Sequence, residues 1–183
     1  MKYNRRNFIK QCIALYGSTL LLPACSTRGK TQTYRSFSPL QADCLGAICE
    51  QIIPTDEYPG AIDSGVVNYI DRQIYIRFPE LKELYHEGIQ AVNSYCTSVY
   101  NKEFTALSWD DQTQLLLTME KGELPEEHWE KASQREFFRI VRRNTMQGFY
   151  GAPHHGGNKD YISYRMMNLN YPFIAGQNRY GEK

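Results

Sequence analysis

Residues 38–54 read SPLQADCLGAICEQIIP. Ser38 is a helix cap, Pro39 suits the first turn, and Gln41 sits where its side chain reaches back to the cap. Leu40, Cys44, Leu45, Ile48 and Ile52 then recur at helical spacing, and Pro54 ends the run. The same grammar repeats outward from this stretch. Pro54 to Gly60 reads as a rigid turn, and Asp63 is placed to cap a second helix whose Val66, Val67, Ile70 and Ile74 share a face. Pro79 opens a longer helix to about Asn101, with a stripe of Leu81, Leu84, Tyr85, Gly88, Val92, Tyr95, Cys96 and Val99. Ser108 caps another, with Leu115 to Met119 as its body and Gly122 as its stop. Pro125 is expected to start the last long helix, carrying Trp129, Ala132, Phe137, Ile140, Val141 and Phe149. No run alternates with period two, so the predicted fold is all-α: a small bundle of about five helices, followed by a glycine-rich loop and an aromatic C-terminal segment.

Upstream, Asn4-Arg5-Arg6-Asn7-Phe8-Ile9-Lys10 has the twin-arginine export pattern. The apolar run from Cys12 to Leu22 is interrupted by Gly17, Ser18 and Thr19. It falls short of the roughly 20 residues that cross a bilayer, so it reads as the core of a signal peptide. Leu22-Pro23-Ala24-Cys25 resembles a lipobox, in which Cys25 would be lipidated and the chain cut before it. Cleavage after Ser26 by an ordinary signal peptidase is the competing reading. The expected organisation is a signal at 1–24, a polar linker at 25–37 and a single helical domain at 38–183. The expected location is the periplasmic side of a bacterial membrane.

Removing the signal takes away Lys2, Arg5, Arg6 and Lys10 and no acid, leaving 17 basic against 20 acidic residues and a formal charge of −3. A weakly acidic chain lacks the electrostatic footprint of a nucleic-acid binder. The 159 residues that remain are enough for one domain with a true core. Three cysteines remain beyond Cys25: Cys44, Cys49 and Cys96. Cys44 and Cys49 point to diverging helix faces. Either one paired to Cys96, or all three as buried thiols, fits the sequence.

The C-terminal part changes character. Gly148 to Asp160 is dense in glycine and holds His154, His155 and Asn158. Tyr161, Tyr164, Arg165, Met166, Met167, Tyr171, Pro172 and Phe173 follow. So aromatic a tail either packs back on the helices or offers a contact surface, with Tyr164, Arg165, Tyr171 and Phe173 as the interface candidates.

Signs of resident chemistry are few. There is no dinucleotide-binding glycine fingerprint, no haem-attachment motif and no cysteine spacing for an iron–sulfur cluster. Glu83 and His86 make one Glu-x-x-His where a di-iron bundle needs two, so they read as a solvated helix face. Adjacent side chains diverge, so His154 and His155 do not converge on one metal. With Asn158 they are expected to shape the glycine loop, and Asp160 can cap the helix after it.

Taken in order, several pieces resemble the small (third, gamma) subunit of the gluconate 2-dehydrogenase type. They are Arg5-Arg6-Asn7-Phe8, Ile52 to Ala61 with Gly65 to Asp71, Phe104 to Ser108, and Phe137 to Gly151 with Gly156 to Asp160 and Arg165 to Met167. The resemblance implies a non-catalytic accessory subunit of a membrane-bound, FAD-dependent sugar or polyol dehydrogenase, an oxidoreductase acting on CH–OH groups. FAD would sit on a large flavoprotein subunit, and haem c, in some such systems, on a cytochrome c subunit. No catalytic, cofactor or metal residue carries over to this chain. The small subunit would bring the export signal and help mature and anchor its partner. A stand-alone periplasmic binding or scaffold lipoprotein is the alternative.

Overall fold

Ser38 caps the first helix in the expected manner in a computed structural model that describes residues 33–169. Its hydroxyl accepts the Gln41 N–H at 3.3 Å, and the Gln41 side-chain oxygen accepts the Ser38 N–H at 3.0 Å. Helix α1 runs Pro39–Ile52 and buries Cys44, Leu45, Ile48 and Cys49. Leu40 falls outside that stripe and is exposed. The turn after α1 is organised by one side chain. The Glu50 carboxylate accepts the N–H and hydroxyl of Thr55, at 2.8 and 2.6 Å, and the Ile62 N–H at 2.9 Å.

Helix α2, Val66–Ile76, buries Val66, Val67, Ile70 and Ile74 as expected. Asp63 does not cap it. Gly65 occupies the cap position with φ of 75°, a left-handed geometry that glycine adopts at little cost, and no side-chain cap forms. Helix α3, Leu81–Tyr100, ends on Asn101 in the same region, with φ of 54°. Its Gly88 abuts the Phe137 ring, so any β-carbon there would meet that ring. Val99, placed on the apolar stripe by spacing, is exposed.

A 3-10 turn at Phe104–Ala106 buries Phe104 and leads to α4, Trp109–Lys121. Ser108 caps α4 through the Asp111 N–H, and Gly122 ends it with φ of 74°. The last long helix starts later than Pro125 suggests. Pro125 opens only a 3-10 turn, Glu126–His128, and α5 runs Gln134–Tyr150 from a Ser133 cap. The cause is local. Gln134 bonds both the N–H and the carbonyl of Leu124, each at 3.0 Å, closing the intervening segment into a loop that carries buried Trp129 and Ala132. A short helix α6, Ile162–Met166, follows the glycine loop.

The described residues thus hold six α-helices and no strand. Helix α5 packs against α2 and α4, and α1 meets α2, α3, α4 and α5. Phe137 centres the aromatic part of the core, with Tyr85 at 6.1 Å and Trp129 at 6.0 Å between ring centroids. The buried Tyr85 hydroxyl is satisfied by the Asn144 amide at 2.8 Å.

Candidate functional site

Helix α2 does more than fill the core. Its polar residues hold the two ends of the described chain. The buried Asp71 carboxylate accepts the Ser36 N–H at 2.7 Å and the Arg35 N–H at 3.0 and 3.1 Å, and the Asp71 carbonyl accepts the Ser36 hydroxyl at 3.3 Å. His86 Nε2 lies 2.7 Å from the Ser36 carbonyl, which can only accept, so this nitrogen carries a proton. Phe37 is buried, with its ring centroid 5.8 Å from that of Tyr85 and 6.0 Å from that of His86. The polar composition of residues 34–37 reads as linker, yet these residues are docked. Burial, with Asp43 and Asp71 nearby, pushes the Tyr34 phenol up. His86 is therefore not on a solvated face. The entry segment lies across it, and only Glu83 of that pair is exposed.

The opposite end is the glycine loop. Asn68 donates to the Gly156 carbonyl at 2.6 Å, and Arg72 to the His154 carbonyl at 3.2 Å. The Lys159 N–H reaches the Ser64 carbonyl at 2.9 Å. Gly156 has φ of 106°, and a β-carbon on it would meet the Arg72 side chain at 2.8 Å. Inside the loop the buried Asn158 donates to the Gly151 carbonyl and accepts the Ser163 N–H, both at 2.9 Å. Asn158, rather than Asp160, therefore holds the start of α6. Asp160 is exposed, with φ of 53°.

His154 and His155 are exposed, with ring centroids 3.9 Å apart. His154 shapes the loop through its backbone carbonyl. Desolvation first, then His154, Arg72 and Arg77, hold the His155 imidazole below its ordinary range. Among the described residues no group of three His, Cys, Asp or Glu side chains is placed to hold a metal. Cys44, Cys49 and Cys96 are free and buried, and burial pushes each thiol up to about 12. Such thiols stay protonated and are poor nucleophiles.

Of the four interface candidates, Tyr164 is 9% exposed. It lies at 6.0 Å from the Tyr161 ring, at the base of α6. Arg165 is exposed. Tyr171 and Phe173, like Arg5, Arg6 and Cys25, lie outside the described residues.

Asn68 and Asp71 fall in the Gly65-to-Asp71 piece that carries the resemblance, and Arg72 follows it, but the motif assigns none of the three a role. One signal was available. Asp71 falls on the apolar stripe of α2 between Ile70 and Ile74, and a carboxylate there requires donors from another segment. A family model, described as gluconate 2-dehydrogenase subunit 3, matches residues 39–170. No curated protein and no solved structure matches the chain. The match takes in every helix described above, including the loop-binding face of α2, and the chain belongs to the gluconate 2-dehydrogenase subunit 3 family.

Proposed function

We propose that this chain is the accessory subunit of a membrane-bound, FAD-dependent sugar or polyol dehydrogenase of the gluconate 2-dehydrogenase type. The family match over residues 39–170 carries the reading. In this account the chain performs no chemistry of its own. FAD is held by a large flavoprotein subunit, and a cytochrome c subunit with haem c takes the electrons onward. Arg5 and Arg6 direct export by the twin-arginine route, which moves cargo already folded around its cofactor. The small subunit travels with the flavoprotein, helps it mature and fixes it to the periplasmic side of the membrane through a lipid on Cys25.

The polar pins on α2 support this division of labour. A chain that acts as a carrier must transmit position from its anchored end to its partner-facing end. Asp71 secures the segment arriving from the N-terminal side, and one residue on, Arg72 secures the glycine loop. Arg165 on α6, with Tyr171 and Phe173 beyond it, belongs to the proposed docking surface for the flavoprotein, since arginine and aromatic side chains dominate such contacts.

Purification of the tagged subunit from membranes tests the reading. Detergent extracts should carry a large flavoprotein and show flavin absorbance, and Cys25→Ala should release the complex from the membrane or block its processing. A subunit that purifies alone and colourless from a strain expressing the dehydrogenase would overturn the proposal.

A further inference from the structure

Residues 75–80, Tyr-Ile-Arg-Phe-Pro-Glu, are all exposed. Tyr75, Ile76 and Phe78 thus present three large apolar side chains in four positions. The end of α2 explains why. The N–H groups of Arg77 and Phe78 both close onto the Gln73 carbonyl, at 2.8 and 2.9 Å, so the chain turns off the helix and leaves Phe78 outside the core. Arg72, Tyr75 and Ile76 share a helix face by their spacing. The Arg35 guanidinium lies 4.8 Å over the Tyr75 ring, and Arg72 and Arg77, both exposed, flank Tyr75 and Ile76 in sequence at the end of α2. No guanidinium of Arg35, Arg72 or Arg77 is paired with a carboxylate among the described residues. Glu80 is the one acid between residues 72 and 80. A chain whose processed form carries a formal charge of −3 thus has, at the end of α2, arginines beside three exposed apolar side chains.

From this geometry we infer that the end of α2, with Arg35, rests on an anionic lipid surface, Tyr75, Ile76 and Phe78 entering the headgroup region and Arg35, Arg72 and Arg77 meeting lipid phosphates. Two observations select lipid over another occupant. Arginines stand beside both aromatic and aliphatic side chains, a composition that suits a membrane–water interface. The second is where the chain enters. Arg35, on the patch itself, is ten residues from Cys25, and a fully extended ten-residue span reaches at most about 35 Å. The proposed lipid attachment therefore leaves this face within reach of the bilayer. A single acyl chain gives only reversible binding, and a basic patch is the kind of second signal that makes it stable. No described helix is long and apolar enough to cross the membrane, so this contact is peripheral.

The inference rests on the membrane location proposed above, and its test does not. The chain from residue 25 carrying Cys25→Ser keeps the whole core and has no lipid. It is sedimented with vesicles of phosphatidylglycerol and phosphatidylethanolamine, and with vesicles of phosphatidylcholine alone. Binding is expected to the anionic vesicles only, and to fall with added salt. Ile76→Ser with Phe78→Ser should weaken it by roughly tenfold or more, and Arg77→Gln by about fivefold, since one arginine near an anionic surface is worth about that factor. Unchanged helix content in these exposed-site variants keeps folding out of the comparison. Equal binding by parent and variants, or no binding to anionic vesicles, overturns the inference. So does a variant that loses flavoprotein capture while its vesicle binding is unchanged, which would make the patch a protein interface. Failure of the functional proposal reads differently: no flavoprotein co-purifies, whatever the vesicles show.

Discussion

The interior of the bundle and the two chain segments laid against α2 are held by different physics. Inside, Phe137, Tyr85, Ile48, Leu45 and Ile70 are stabilised by apolar burial that is non-directional and spread over many neighbours. At the edges, Phe37 and Ile162 still join the apolar core, but residues 35–36 and 151–160 depend on a few directed bonds from Asp71, Asn68, Arg72 and Asn158. The first kind of contact fixes a fold. The second kind fixes where particular segments sit on it. Losses should differ accordingly: global in the interior, local at the edges.

The largest effect is expected from Phe137→Ala. The ring is fully buried between Tyr85 and Trp129 and against Gly88, so its removal leaves a cavity in the tightest part of the core. A loss of about 4 kcal/mol in denaturant unfolding is expected. Asp71→Ala sharpens the contrast. It strips acceptors from the Arg35 and Ser36 N–H groups, for a local cost of about 2 kcal/mol. Hydrogen exchange should quicken at Arg35 and Ser36 and stay slow along α1 and α5. If Asp71→Ala instead melts the whole bundle, as Phe137→Ala should, the distinction between interior and edge fails.

How much of this could be read in advance follows the same division. Helices α1 and α4 were legible because caps, stripes and stops agree, Ser38 with Gln41 and Ser108 with Gly122, and α3 from its stripe without a side-chain cap. The late start of α5 was not, since the Gln134 clamp on Leu124 acts across a loop and leaves no periodic trace. The docking of residues 34–37 was hidden for a related reason. Tyr-Arg-Ser-Phe is too short to show a pattern, and its partner Asp71 is 35 residues from Ser36. Asn158 was expected to shape the glycine loop and does. Spacing alone points to Asp160 at the start of α6, because it does not reveal which of two nearby residues turns inward, and Asn158 takes that place.

Alkaline pH probes the interior again. The Cys49 thiol, held at about 12 by burial against an ordinary value of 9.0, stays protonated in the fold while the unfolded chain ionises. Stability from this group is intact below pH 9 and is lost as pH rises toward 12, by at most about 1.4 kcal/mol for each pH unit. Unfolding midpoints measured from pH 8 to 10 should fall, and Cys49→Ala should make the fall shallower. The smallest effect is expected at a helix end. Ser108→Ala removes the cap on α4 and should cost about 1 kcal/mol without altering the α2 contacts. A larger loss would mean that the start of α4 carries more of the fold than its cap.

The central claim concerns transport of a partner, and one measurement reaches it directly. Arg5 and Arg6 are replaced together by Lys in a strain producing the whole dehydrogenase, and the FAD-containing subunit is followed by fractionation and flavin fluorescence. If the small subunit carries the export signal for both, the flavoprotein should remain in the cytoplasm, folded and flavin-loaded, together with its partner. A flavoprotein that still reaches the periplasmic side in normal amount would contradict the account, whatever becomes of the small subunit itself.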